Sequence, residues 1–177
     1  MISFPAALET GCLIQSFTEK EVRMANLKIL VPYNFTSSDE KTLDFVIQQF
    51  DQQRDAAITL FHAYIPVPDI EISDKTVMSR LAGNIAYLRQ KLYDLEEAIR
   101  KARQRLISAG FAEDKVDYVF KPLEKEAALD IIQHAGKGAY TTIVLNRNPS
   151  KIRKFFMPSV SKKVTKTLKN IDLYMVQ

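Results

Sequence analysis

From Leu27 onward, short apolar runs alternate with longer stretches in which apolar positions return every three or four residues. Leu27-Lys28-Ile29-Leu30-Val31, Ala57 to Ile65, Val116-Asp117-Tyr118-Val119-Phe120, Tyr140 to Leu145 and Ile171 to Val176 are rich in β-branched, aliphatic and aromatic residues and read as strands. Pro32 is expected to stop the first and Pro66 the second. Leu43, Val46, Ile47 and Phe50 predict an amphipathic helix over 38–52. Ser37-x-x-Glu40 is read as its capping box, in which hydroxyl and carboxylate satisfy the free amides of the first turn. Ala127, Ala128, Ile131, Ile132 and Ala135 mark the buried face of a helix that Pro122 is placed to start and that runs to Gly136. Val160, Val164 and Leu168 mark a last helix, capped by Ser159 or Ser161.

The longest pattern lies over 75–109, which contains no proline and only Gly83 before Gly110 ends it. Met78, Leu81, Ile85, Leu88, Leu92, Leu95, Ile99, Ala102 and Leu106 follow alternating steps of three and four, a heptad seam. One continuous helix here is about 50 Å long, well beyond an ordinary sheet-covering helix. It either covers the sheet, with a bend at Gly83, or projects and pairs with another subunit; covering is the favoured arrangement.

The order βαβαβαβαβ predicts an α/β fold: a doubly wound, open, parallel five-stranded sheet with helices on both faces. Ligands of such sheets bind outside the carboxyl ends of the strands, near the point where strand order reverses. That directs attention to Pro32–Ser38, Ile65–Asp69, Lys121–Glu124 and Asn146–Ser161. Residues 1–26 lack a clear period and form an N-terminal tail in front of a single domain over 27–177. Residues 1–23 are expected to be an over-called start, with Met24 as the initiator, or a loose tail; the alternative is a segment docking Phe4, Leu13, Ile14 and Phe17 on a neighbour.

Charge adds one feature. Residues 139–177 carry eight Lys/Arg against Asp172 alone, whereas the rest of the chain is slightly acidic. A basic segment favours anions, and a solvated helix beside a loop gives the same count. No aromatic platform accompanies the charge, so nucleic acid is not an expected partner. The single cysteine, Cys12, excludes an internal disulfide framework, and no window approaches the roughly 18 apolar residues of a membrane span. The expected location is cytoplasmic.

Familiar chemistries are missing. There is no glycine-rich dinucleotide fingerprint after strand one and no G-x-x-x-x-G-K-[ST] loop. Strand one ends in Tyr33-Asn34-Phe35, with no carboxylate for a magnesium-dependent phosphoacceptor. Neither His62 nor His134 stands near a serine or cysteine in a nucleophile elbow; His62 is read as a buried, hydrogen-bonded histidine. No catalytic residue, metal site or enzyme activity is expected. The best candidate is an anion site where the last helix begins, with Ser159, Ser161 and the cations Arg147, Lys151, Arg153 and Lys154.

Lys28-Ile29-Leu30-Val31-Pro32 followed by a Ser-rich helix start, Leu60-Phe61-His62-Ala63, and Thr142-Ile143-Val144-Leu145 followed by a basic loop and Pro158-Ser159-Val160-Ser161-Lys162-Lys163-Val164 together resemble the universal stress proteins. The resemblance spans roughly 26–177 and is weakest over 66–110. It implies the Rossmann-like doubly wound fold, a homodimer often formed through the last strand, and a role in stress survival. One branch of that family binds ATP through an Asp ending strand one and a G-x-x-G-x9-G-[ST] loop. Here Asn34 stands at the Asp position and Phe35 at the glycine after it; Asn146, Pro149 and Pro158 stand at the loop glycines, and Ser159 keeps the hydroxyl. Eight residues separate the two prolines, one short of the family spacing. Proline deletes an amide donor and fixes φ, so the sequence is nearer the branch without this signature. The expected function is a stress-response protein acting through homodimerisation by Ile171, Leu173 and Met175 and through protein partners yet unidentified, with no cofactor. The alternative is an ATP-binding switch whose altered site is Pro32, Tyr33, Asn34, Asn146, Arg147, Pro158, Ser159, Val160 and Ser161.

Overall fold

The computed structural model describes residues 27–67, 75–146, 160–168 and 171–176. Five strands form one parallel sheet: β1 (Lys28–Pro32), β2 (Ala57–Tyr64), β3 (Val116–Pro122), β4 (Thr142–Asn146) and β5 (Asp172–Val176). Their order across the sheet is β3-β2-β1-β4-β5, which is the doubly wound arrangement. β1 sits at the centre, pairing Ile29 with Ile58 on one side and with Thr142 on the other. Both its faces are covered, which is why Ile29, Leu30 and Val31 form an unbroken apolar run and are fully buried.

Successive side chains of a strand point to opposite faces, and the two faces build two cores. On one face α1 (Ser37–Gln49) and α2 (Lys75–Ser108) bring Leu43, Val46, Ile99, Ala102 and Leu106 against Ile29, Val31, Ile58, Leu60 and Val116. On the other, α3 (Ala127–Lys137) and α4 (Val160–Thr167) bring Ile131, Ala135 and Val164 against Leu30, Phe61, Ile143 and Leu145. Each fully buried Leu, Ile or Val among them contributes about 1.5–3 kcal/mol of burial.

Three local expectations shift. The capping box of α1 is Thr36-x-x-Asp39, one residue ahead of the Ser37-x-x-Glu40 reading: Thr36 N–H and Oγ1–H both donate to Asp39 Oδ2 at 2.7 Å. The true pair wins because Asp39 is fully buried among amides, whereas Glu40 points outward to other partners. Pro32 is itself the last paired residue of β1, opposite Phe61, so the strand stops on the proline rather than before it. Pro122 does not start a helix: it likewise ends β3, paired with Tyr64, and α3 begins only at Ala127. β3 is an edge strand, where a missing N–H costs little. The loop between is held by buried Asp130, whose carboxylate accepts Glu124 N–H at 3.0 Å.

The favoured covering of the sheet by the whole of α2 is half right. Ile99, Ala102 and Leu106 are buried on the sheet, but Leu88 is 41% exposed and Ile85, Leu92 and Leu95 belong to neither core. Thirty-four residues of helix span about 51 Å, while the seven residues of β3 span about 23 Å. The amino-terminal half therefore overhangs the carboxyl edge of the sheet. Gly110, at φ 103°, turns the chain out of α2 toward β3. The tail 1–26 lies outside the described residues.

Candidate functional site

Strand order reverses between β1 and β4, so the crevice at their carboxyl ends is where an open sheet of this kind takes a ligand. Four residues meet there. Asn34 follows β1 and donates its N–H to Asp39 Oδ2 at 3.2 Å. Thr36 caps α1 and donates twice to the same oxygen. Asn146 ends β4 and donates its side-chain amide to Asp39 Oδ1 at 2.9 Å and to Thr36 Oγ1 at 3.2 Å. Asp39 is thus the hub: a fully buried carboxylate receiving two backbone amides, a hydroxyl and a carboxamide. A carboxylate does stand at the end of strand one, delivered by α1 rather than by β1. The signal was present as Thr36-x-x-Asp39, beside the Ser37-x-x-Glu40 pattern that drew the reading.

Phe35 shapes the mouth. Its φ of 59° is the left-handed conformation that favours glycine. Phe35 packs edge-on against Tyr33, with centroids 5.1 Å apart, and against His62 at 4.7 Å. His62 in turn stacks on Phe120, which stacks on Tyr64, so an aromatic row runs across the ends of three strands. His62 Nδ1–H donates to the Tyr33 carbonyl at 2.7 Å, in keeping with a hydrogen-bonded structural histidine. Burial pulls its pKa below the ordinary 6.5, against the upward pull of that carbonyl and of Asp39.

A cleft of about 480 Å³ opens beside this crevice, between the start of α1 and the covered half of α2. Tyr33, Phe35, Ser37 and Glu40 form one wall, and Ala98, Lys101, Ala102 and Arg105 the other. Its carboxylate is already engaged. Tyr33 O–H donates to Glu40 at 3.0 Å, Arg105 pairs with Glu40, and Arg105 also reaches Asp44 at 2.5 Å. Burial and the adjacent Glu40 push the Tyr33 phenol well above its usual range.

The expected site residues are only partly assembled. Pro32, the Asn34 backbone and Asn146 border the crevice, whereas the Tyr33 ring turns into the α1–α2 core and Val160 packs on the other core. Arg147, Pro158 and Ser159 lie outside the described residues, as does the Ser161 side chain. Part of the basic segment is solidly structural: Lys163 Nζ is 2.6 Å from Glu126 of the neighbouring helix.

With this geometry in hand, comparison with known proteins is unambiguous at the family level. The model described as the universal stress protein family matches residues 26–170. The chain therefore belongs to the universal stress protein family. Among solved structures it is similar to the hypothetical protein MJ0577, at 18% identity and a TM-score of 0.61, covering 84% of this chain and 94% of that one. It is also similar to a universal stress protein in complex with cAMP (17%, TM-score 0.57, 86% and 97%). A third is the universal stress protein from Archaeoglobus fulgidus in complex with dAMP (14%, TM-score 0.55, 85% and 98%). These likenesses establish the shared fold. No curated protein matches the chain.

The ATP of one branch of the family can be tested against the residues present. A polyphosphate needs unengaged amides and positive charge. In the described part of the crevice the Asn34 and Thr36 amides already serve Asp39, and the central group is an anion. These two amides are thus not offered to a phosphate, and the loop 147–159, to which the resemblance gives that role, lies outside the described residues. Asn146 Oδ1 is different: it is buried and accepts no hydrogen bond among the described residues.

Proposed function

We propose that this universal stress protein works in the stress response by binding proteins rather than by catalysis, with a nucleotide site that has lost its phosphate grip. The observation supporting this reading is the Asp39 hub, which ties up the Asn34 and Thr36 amides and the Asn146 carboxamide at the switch point and sets a negative charge there. Phe35 at the mouth adds bulk where the ATP-binding branch has glycine. Homodimerisation through β5 completes the reading: β5 pairs only with β4, leaving its outer edge open among the described residues, and Met175 there is 54% exposed. Leu173 and Ile171, grouped with Met175 as interface residues, pack instead against the second core.

The experiment is an isothermal titration of the full chain with ATP and Mg²⁺, AMP and cAMP. A flat trace up to about 100 μM ligand is expected; one-site saturation below that, about 5.5 kcal/mol or more, overturns the reading.

A second reading is favoured by one specific atom. The orphaned Asn146 Oδ1 could accept from a ribose hydroxyl or a base amine, and two similar structures are complexes with cAMP and dAMP. On that reading the chain is a nucleotide-responsive switch using Asn34, Asn146, Arg147, Ser159 and Ser161. The cAMP or AMP titration then saturates, and Asn146→Ala abolishes the heat.

A further inference from the structure

We infer that the β3 edge of the sheet is closed against a second copy of this chain, so that copies join by strand pairing through β5 alone and stop at a pair. The inference builds on the β5 pairing proposed above and adds what limits it. A sheet of parallel strands has two different edges, each a row of backbone groups able to template another strand, and every copy carries both. If β5 of one copy lay along β3 of the next, the sheet would run on in one direction with a free edge still at each end. That is a head-to-tail contact that never closes, whereas β5 against β5 about a twofold axis uses up both edges.

The hydrogen bonds show which groups the β3 edge offers. Along a strand the N–H and C=O of one residue point to the same side, and the side alternates from residue to residue. Leu123 N–H donates to the Tyr64 carbonyl of β2 at 2.7 Å, so residues 117, 119 and 121 also turn to β2, and Val116, Tyr118, Phe120 and Pro122 turn outward. Three of those four are blocked. Arg103 of α2 donates its Nε–H to the Val116 carbonyl at 2.8 Å, and the same guanidinium is held by the Glu113 carbonyl at 3.0 Å. Tyr118 N–H donates to Oδ1 of Asp117 at 2.7 Å. Pro122 has no N–H to offer. Only Phe120 keeps both groups, and a single residue does not make a ladder. Asp117 is exposed and adds a charge where an incoming strand would lie.

The β5 edge differs at each of these points. Asp172 N–H donates to the Thr141 carbonyl at 2.9 Å, so Leu173 and Met175 turn their backbone groups outward. Neither is a proline, and among the described residues no side chain hydrogen-bonds to either. One edge of the sheet is thus offered to a second copy and the other withheld from it.

The test is sedimentation velocity of the full chain up to about 100 μM, beside an uncapped variant carrying Arg103→Ala, Asp117→Ala and Pro122→Ala. The uncapped variant is expected to build species larger than any the wild type forms, growing with concentration, with at least about a tenfold gain in affinity for added copies. Adding Met175→Pro, which removes an outward N–H from β5, is expected to abolish that growth. An uncapped variant that keeps the wild-type circular dichroism and sediments like the wild type overturns the inference. So does growth that Met175→Pro leaves unchanged, because the added copies then do not join through β5. A wild type that itself grows past a pair overturns it as well. If the triple substitution costs the helical circular dichroism, Arg103→Ala and Asp117→Ala made singly are read by the same outcomes. The β5 homodimer is judged separately, by the wild type alone: a monomer removes that reading, while growth of the uncapped variant would still support the closed edge.

Discussion

The two halves of α2 carry one repeat and meet opposite surroundings. From Ile99 to Leu106 the seam is buried on β2 and β3, and the polar side is tied down as well: Arg100 to Glu96 and Tyr118, Arg103 to the Val116 carbonyl, Arg105 to α1. From Ile85 to Leu95 the same spacing overhangs the sheet, with Leu88, Tyr87 and Tyr93 exposed. Periodicity reports which side of a helix is apolar. It does not report what lies opposite, because the length of the neighbouring strands is set elsewhere in the chain.

The sharpest way to break this comparison is to truncate the same residue type in both halves. Leu106→Ala should cost about 2–5 kcal/mol, since it opens a cavity in a fully buried site. Leu88→Ala should cost within about 0.5 kcal/mol. Urea unfolding of the two variants checks both; equal losses would mean the halves are packed alike. A smaller effect of opposite sign is expected at Gly83. A methyl added there meets nothing within 4 Å, so Gly83→Ala should raise the local stability of the overhanging half by up to about 1 kcal/mol. Hydrogen exchange should show slower exchange in the overhanging half and little change over 99–108.

Electrostatic changes rank lower. Arg105→Ala removes two ion pairs between the covered half and α1. All three groups are well exposed, so the loss should be about 0.5–1 kcal/mol and should shrink with added salt. The last prediction uses pH. His62 and His134 both have pKa values lowered by burial, His134 also by Lys121 and Lys28. The unfolded chain then takes up protons more readily than the folded one as pH falls through the ordinary 6.5, so stability declines. Thermal melts from about pH 7.5 to about 5.5 should show the decline, and His62→Gln with His134→Gln should flatten it. Because His62 sits under the aromatic row beside the covered half, exchange should quicken there while the overhanging half is unchanged.

Much of the fold was legible because it depends on local patterns. Continuous apolar runs mark strands covered on both faces, helical spacing marks the segments between, and parallel strands joined by helices leave little choice of topology. Boundaries were less legible where two chemically similar pairs compete, as Thr36–Asp39 and Ser37–Glu40 do one residue apart. Pro122 misled for another reason: whether a proline ends a strand or starts a helix depends on whether its neighbour across the sheet needs the missing N–H.

By itself the sequence determined the alternation of strands and helices and the heptad seam. Those are properties of adjacent residues and their spacing. Only the tertiary structure decided that Asn146 would reach Thr36 and Asp39, more than a hundred positions away, and close the crevice with a carboxylate at its centre. It alone decided where the sheet stops beneath α2. Both outcomes depend on which strand ends lie side by side, and residue spacing along a chain carries no record of that.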